Sequence, residues 1–369
     1  MNGTQKFAYI DAMRGIAILM VIAVHCGQYV RGAGLIAKIT DYCQMGVQLF
    51  FVASALTLCL SAVARREESR PLLKFYIRRF FRIAPAYYVG IAFYTLWTIS
   101  VSEYQVGPYP NPDNYTPINI LANALFLHGL YPPANNTIVP GGWSIAAEML
   151  FYAFFPFLFR AMERMKNRHY AALAAIGAGA AVVPLIHAAT GLPVFNGSFL
   201  YFSIAVQISV FIIGMVYFWE TQSGRALKHP SLCFAIFLAV AIALWETGQV
   251  TLMPAFFAVS FVCLAESLRA APMALLRWLR PIGKFSFSMY LCHFAVFNSL
   301  SYLINRKIGL QATIGTNTTL LVFYLTTVAI TFVIASCMYR MVERPMIALG
   351  AKIVDRMDKP ASNASVSAT

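Results

Sequence analysis

Long apolar runs joined by short basic connectors dominate the chain, and their lengths predict membrane-spanning helices. A roughly 30 Å hydrocarbon core needs about 20 apolar residues in helical form. Ten runs meet or approach that length, at residues 13–30, 45–63, 83–101, 143–162, 170–187, 200–218, 231–247, 249–267, 286–304 and 319–339. The expected fold class is an all-α integral membrane protein of about ten transmembrane helices. Composition agrees, with 59% hydrophobic and 11% charged residues and a mean hydropathy of +0.66. Soluble domains do not combine these values.

Charge orients the helices. With the N-terminus inside, 24 of the 28 Lys and Arg residues fall on the cytoplasmic side, and only Arg31, Lys38, Arg306 and Lys307 fall outside. That bias follows the positive-inside rule and predicts both termini in the cytoplasm. The net charge of +14 is thereby explained by topology, and no nucleic-acid partner is expected. Asp11 and Arg14 interrupt the first apolar run and His25 precedes Cys26, so cleavage as a signal peptide is not expected. The seven cysteines are scattered, form no CxxC and predict neither disulfides nor a metal site. Residues 1–345 read as one transmembrane domain and 346–369 as a cytoplasmic tail, disordered at its small, polar end.

Four stretches carry candidate chemistry. Arg14 and His25 lie eleven steps apart on the first helix, about 20° past three full turns, so they share a face with Asp11 nearby. Their separation rises roughly 16 Å, which puts His25 near mid-membrane if Arg14 is at the edge. Ionisable groups at such depth line cavities as a rule. Arg78, Arg79 and Arg82 open the third run, and guanidinium forks suit phosphate oxygens as well as anionic lipid. Ser144, Glu148 and Tyr152 follow Trp143 at successive i,i+4 positions on one polar face. Ser286, Tyr290 and His293 share a face of the ninth run, with His293 about seven residues in from the cytoplasmic end. Glu343 before Pro345 reads as a local pair at a proline-stopped helix end, and His128, His169, His187 and His229 receive no role. Outside, residues 102–142 are rich in Pro, Asn and Tyr, and the apolar piece 118–130 is too short to span, so it lies at the interface or re-enters.

In this order, the segments resemble the acyltransferase 3 family of membrane-bound acyltransferases. The likeness rests on the Arg14-x10-His25 spacing, Phe50-Phe51-Val52-Ala53-Ser54, Arg78-Arg79-x-x-Arg82-Ile83-x-Pro85, and Trp143-Ser144-x3-Glu148-x2-Phe151-Tyr152. Ser286-x-Ser288-x-Tyr290-Leu291-x-His293 and Glu343-x-Pro345 complete it. Two departures stand out: Ala55 where the family usually has Gly, and Met149 where a second Glu is common.

The resemblance implies transfer of an acyl group, acetyl foremost, from acyl-CoA as co-substrate to a hydroxyl of a cell-surface or exported carbohydrate or its lipid-linked precursor. No bound cofactor is expected, and the implied location is the bacterial cytoplasmic (inner) membrane, in multi-pass form. His25 would act as general base or as an acyl-accepting nucleophile, with Arg14 and Glu148 also at the reaction centre. Arg78, Arg79 and Arg82 would bind acyl-CoA, and Trp143, Ser144, Tyr290 and His293 would line the acceptor or acyl pocket. The competing class is an exporter of a lipid-linked glycan, which also needs buried His, Glu and Arg. Acetyl against succinyl, the identity of the sugar and the oligomeric state stay open at this level.

Overall fold

A computed structural model describes residues 3–101, 111–225, 227–302, 311 and 314–358. The predicted positions Lys307 and Lys359, and the tail beyond 358, lie outside the described residues. Among those described, the chain is all-helical with no strand. In order, the helices are α1 (Gly3–Tyr29), α2 (Leu35–Tyr42), α3 (Gly46–Ala64), α4 (Pro71–Val101), α5 (Pro117–Ala124) and α6 (Gly142–Arg164). There follow α7 (His169–Thr190), α8 (Phe199–Phe202), α9 (Ile204–Gln222), α10 (Pro230–Glu246), α11 (Met253–Ala270) and the short α12 (Met273–Leu276) and α13 (Leu279–Lys284). The chain closes with α14 (Ser286–Tyr302), α15 (Thr316–Met338) and α16 (Arg344–Arg356).

Each of the ten apolar runs falls on a helix, but seven helices among the described residues are long and apolar enough to cross a membrane, fewer than ten. The others fall short for identifiable reasons. α10 has 17 residues, α14 is described only as far as Tyr302, and α4 carries Lys74, Arg78, Arg79 and Arg82 in its first turns and Pro85 and several Tyr beyond.

α1 is the hub, packing on α3, α11, α13, α14 and α15. Lipid tails are as apolar as Leu, so helices in a membrane associate through close packing and hydrogen bonds more than through burial itself. Glycines supply the closest approaches: a Cβ on Gly283 would sit 1.8 Å from the Asp11 carbonyl oxygen, and one on Gly15 2.5 Å from that of Leu279. At the departure noted above, Ala55 is fully buried and faces Gly214, where an added Cβ would come within 2.9 Å of the Ala55 methyl. The small partner makes room for the extra carbon. By contrast α7 buries only Gly179 and Val183, and α10 only Ala241, so both flank the bundle.

Two readings of connecting segments change. Residues 117–130 form α5 and a turn with Leu121, Leu125, Leu127 and Leu130 exposed, which fits an interfacial position. This segment is anchored by His128, fully buried, whose Nε2 lies 3.0 Å from the Gly142 carbonyl and 3.2 Å from the Tyr87 hydroxyl. At the other end Pro345 does not stop the last helix. A π turn at Tyr339–Glu343 carries the chain into α16, with Pro345 in its first turn where the missing N–H is not needed. Glu343 is buried and accepts from Ser288 on α14, a partner 55 residues away, so its pairing is not local.

Candidate functional site

Three cavities succeed one another along the bundle. The inner one, about 150 Å³, lies at the end that the charge bias assigns to the cytoplasm and is lined by Arg65, Arg66, Arg78, Arg79 and Arg160 with Glu68 and Glu163. Glu68 takes Arg78 through two bonds of 2.7 and 2.8 Å, and Glu163 takes Arg66. Arg79 and Arg160 make no ion pair among the described residues. The wall is further fixed by fully buried Lys74, whose ammonium lies 2.6 Å from Asp358 Oδ2 and 3.0 Å from Ser69 Oγ. These bonds hold the Asp358 carboxyl below its ordinary value of 3.8.

Arg79 leads inward, its guanidinium 5.6 Å from the Tyr152 ring centre. Tyr152 lines the middle cavity, about 70 Å³, with Arg14, Arg82, Ser54, Glu148 and Tyr290. Arg14 donates to Thr57 Oγ1 at 2.9 Å, while Asp11, 3.8 Å away, is the looser partner. Glu148 accepts from Ser54 Oγ at 2.6 Å and from the Tyr152 hydroxyl. Ser144 donates to the Tyr290 hydroxyl at 2.8 Å, and that hydroxyl donates to the Gly141 carbonyl at 2.9 Å. Gly141 has φ +79° and a Cβ there would meet the Tyr290 oxygen at 2.7 Å, so glycine is required on both counts.

Tyr290 and Val47 also line the outer cavity, about 290 Å³, where His25 lies with Gln28, Gln44, Asn136 and Asn196. His25 Nδ1 is 2.9 Å from Gln28 Oε1. A carbonyl oxygen only accepts, so this contact puts the proton on Nδ1 and leaves the Nε2 lone pair for a substrate.

The sequence-predicted residues thus separate into places. Arg78 and Arg79 line the inner cavity, but Arg82, one turn deeper, joins Arg14 in the middle one. Glu148 lies with the arginines and not beside His25, whose partner is Gln28. Ser144 and Tyr290 line the middle cavity, and Tyr290 also lines the outer one. His293 lines no cavity among those described here. It is fully buried behind His25, ring centres 5.3 Å apart, its Nδ1 2.7 Å from the Tyr290 carbonyl and its Nε2 unpartnered. Trp143 reaches the outer cavity but one face is stacked on Phe202, centres 4.2 Å apart, so it is a wall more than a platform. Gln28, Gln44, Asn136 and Asn196 were missed by sequence reading. Only Gln28 carried a signal, three residues past His25 on the same helix.

The family model described as an acyltransferase domain, that of the acyltransferase 3 family, matches residues 7–339. The chain belongs to this family. Its class of chemistry is therefore acyl transfer. The acyltransferase MdmB of Streptomyces mycarofaciens is 24% identical over 330 residues, covering 81% of either chain. A Staphylococcus aureus protein named as an O-acetyltransferase is 23% identical over 95% of this chain but only 59% of its own length. The peptidoglycan O-acetyltransferase OatA of Listeria monocytogenes is 29% identical over 46% of this chain and 27% of its own. No solved structure matches the chain at a significant level. In this acyltransferase 3 member, all six motifs of the resemblance fall on the helices that build the cavities or brace them.

Proposed function

We propose that this membrane acyltransferase moves an acyl group, acetyl foremost, from acyl-CoA to a hydroxyl of a cell-surface or exported carbohydrate or its lipid-linked precursor. Its setting is the bacterial inner membrane, with the inner cavity open to the cytoplasm. The observation that carries this reading is the succession of cavities from an arginine-lined mouth to His25.

Five arginines against two glutamates give the inner cavity an excess of positive charge, which suits the phosphates of CoA. The pantetheine arm then passes Arg79 and Tyr152 toward the middle cavity. Arg14 and Arg82 flank the thioester there, where negative charge on its oxygen develops as the bond is attacked. The acceptor hydroxyl enters from the outer side. His25 Nε2 takes its proton, the oxygen attacks the thioester carbon, the C–S bond breaks, and the imidazolium returns the proton to the departing thiolate. Glu148, bonded to Ser54 and Tyr152, holds the wall between the two substrates.

The test uses purified full-length protein in lipid nanodiscs with acetyl-CoA and isolated surface glycan. Free CoA thiol should appear together with base-labile glycan ester in equal amounts. Thiol release that no glycan stimulates would refute the carbohydrate acceptor, and no thiol release under any condition would refute acyl-CoA as donor.

A further inference from the structure

The outer cavity has a chemical character that narrows its acceptor. Among the described residues, its polar side chains apart from His25 are the carboxamides Gln28, Gln44, Asn136 and Asn196, the hydroxyl of Tyr290 and the indole of Trp143, and no Lys, Arg, Asp or Glu lines it. The carboxamides come from four separate places: α1, the turn before α3, the loop before α6 and the loop before α8. We propose that this cavity selects an uncharged sugar residue, with these four carboxamides as its specificity-determining groups. The proposal rests on the carbohydrate reading above and deepens it.

The hydrogen-bond arrangement says which atoms are free for a ligand. Gln44 Nε2 donates to Asn196 Oδ1 at 2.8 Å and Asn196 Nδ2 returns a bond to Gln44 Oε1 at 3.3 Å. Each amide of that pair keeps one N–H and further acceptor capacity. Asn136 Oδ1 accepts from the Gly141 N–H at 2.8 Å, leaving both of its N–H groups. Gln28 Oε1 is engaged by His25, so its amide nitrogen is free as well. Mixed neutral donors and acceptors of this kind match hydroxyls, which both give and take a hydrogen bond. Gln44, Asn136 and Asn196 are half-buried and share the cavity with Val21, Val47 and Phe294, so a ligand there loses part of its water. A uronate or phosphate-bearing residue would lose hydration without meeting a cation, and burial of an unpaired charge is strongly unfavourable. Of the charges near in sequence, Arg31 pairs with Asp41 at 3.1 Å.

The experiment compares surface and exported glycans from cells with and without the gene. Glycans are hydrolysed under ester-preserving conditions, their residues separated by charge, and gene-dependent esters located by mass spectrometry. Esters on uncharged residues are expected; esters chiefly on uronate or phosphate-bearing residues would overturn the proposal. If no glycan ester depends on the gene, the carbohydrate reading itself fails, a distinct result. Variants give a second arm. Asn136→Asp keeps an oxygen for the Gly141 N–H but adds charge, and should lower ester content about tenfold at unchanged protein level. Asn136→Asp with wild-type ester content would contradict the assignment. Asn196→Asp, which keeps an oxygen for the Gln44 amide, should act likewise at unchanged protein level.

Discussion

The inner and outer cavities of one bundle are built from different chemistry. The inner is lined by five arginines and two glutamates; the outer, by amides, aromatic rings and one usable imidazole. The inner is built mainly on α3, α4 and α6, the outer mainly on α1, α14 and the loops beside them. Guanidinium groups pair with phosphate, whereas amides match hydroxyls without penalising a neutral ligand. Between them the middle cavity holds Arg14 and Arg82 against Glu148, where a reacting carbonyl would need charge stabilisation. Under the proposed function, the difference means that two substrates of opposite character approach one centre from opposite ends, with the reaction where the cavities meet.

The largest effect should come at the junction. His25→Ala should lower transfer by at least about 10²-fold, measured as the initial rate of glycan ester formation, with membrane insertion retained. Wild-type turnover would remove the base from the outer cavity and leave the comparison without a reaction centre. Arg14→Ala and Arg82→Ala should follow, each lowering kcat by about 10²-fold with little change in the KM for acyl-CoA. If Arg82→Ala raises KM alone, Arg82 belongs functionally with the inner cavity despite its position. Arg79→Ala should show the reverse split, raising the KM for acyl-CoA about tenfold at nearly constant kcat. The smallest effect concerns the inner wall. Lys74 and Ser69 hold the Asp358 carboxyl below 3.8, so the stability it contributes is present above that value and is lost as pH falls through the lowered one. A thermal melt should therefore find Asp358→Asn less stable than wild type from pH 7 to about 4, with the gap closing below that. A gap that instead widens in acid would show that the pair does not brace the wall.

Helical periodicity made part of this arrangement legible. The eleven-step spacing placed Arg14 and His25 on one face, and successive i,i+4 steps placed Ser144, Glu148 and Tyr152 on another. The same arithmetic fails across helices. It grouped Arg78, Arg79 and Arg82, yet four residues rise about 6 Å, enough to carry Arg82 from one cavity to the next. It did not show that the His293 ring lies against His25. The carboxamide cluster was illegible beyond Gln28 because Gln44, Asn136 and Asn196 are brought to it by a turn and two loops from distant parts of the chain. The proline stop at Pro345 failed because a π turn adds a residue just ahead of it, so Pro345 falls in a first turn where its missing N–H is harmless.

The most direct test of donor and acceptor entering from opposite ends is a sidedness assay in sealed proteoliposomes of defined orientation. Acetyl-CoA, which does not cross the bilayer, is supplied on one face and soluble glycan acceptor on the other. Glycan ester should form when acetyl-CoA faces the arginine-lined end and the acceptor faces the His25 end, and should be absent when the two are exchanged. Ester formed only when both substrates share one face would contradict the account.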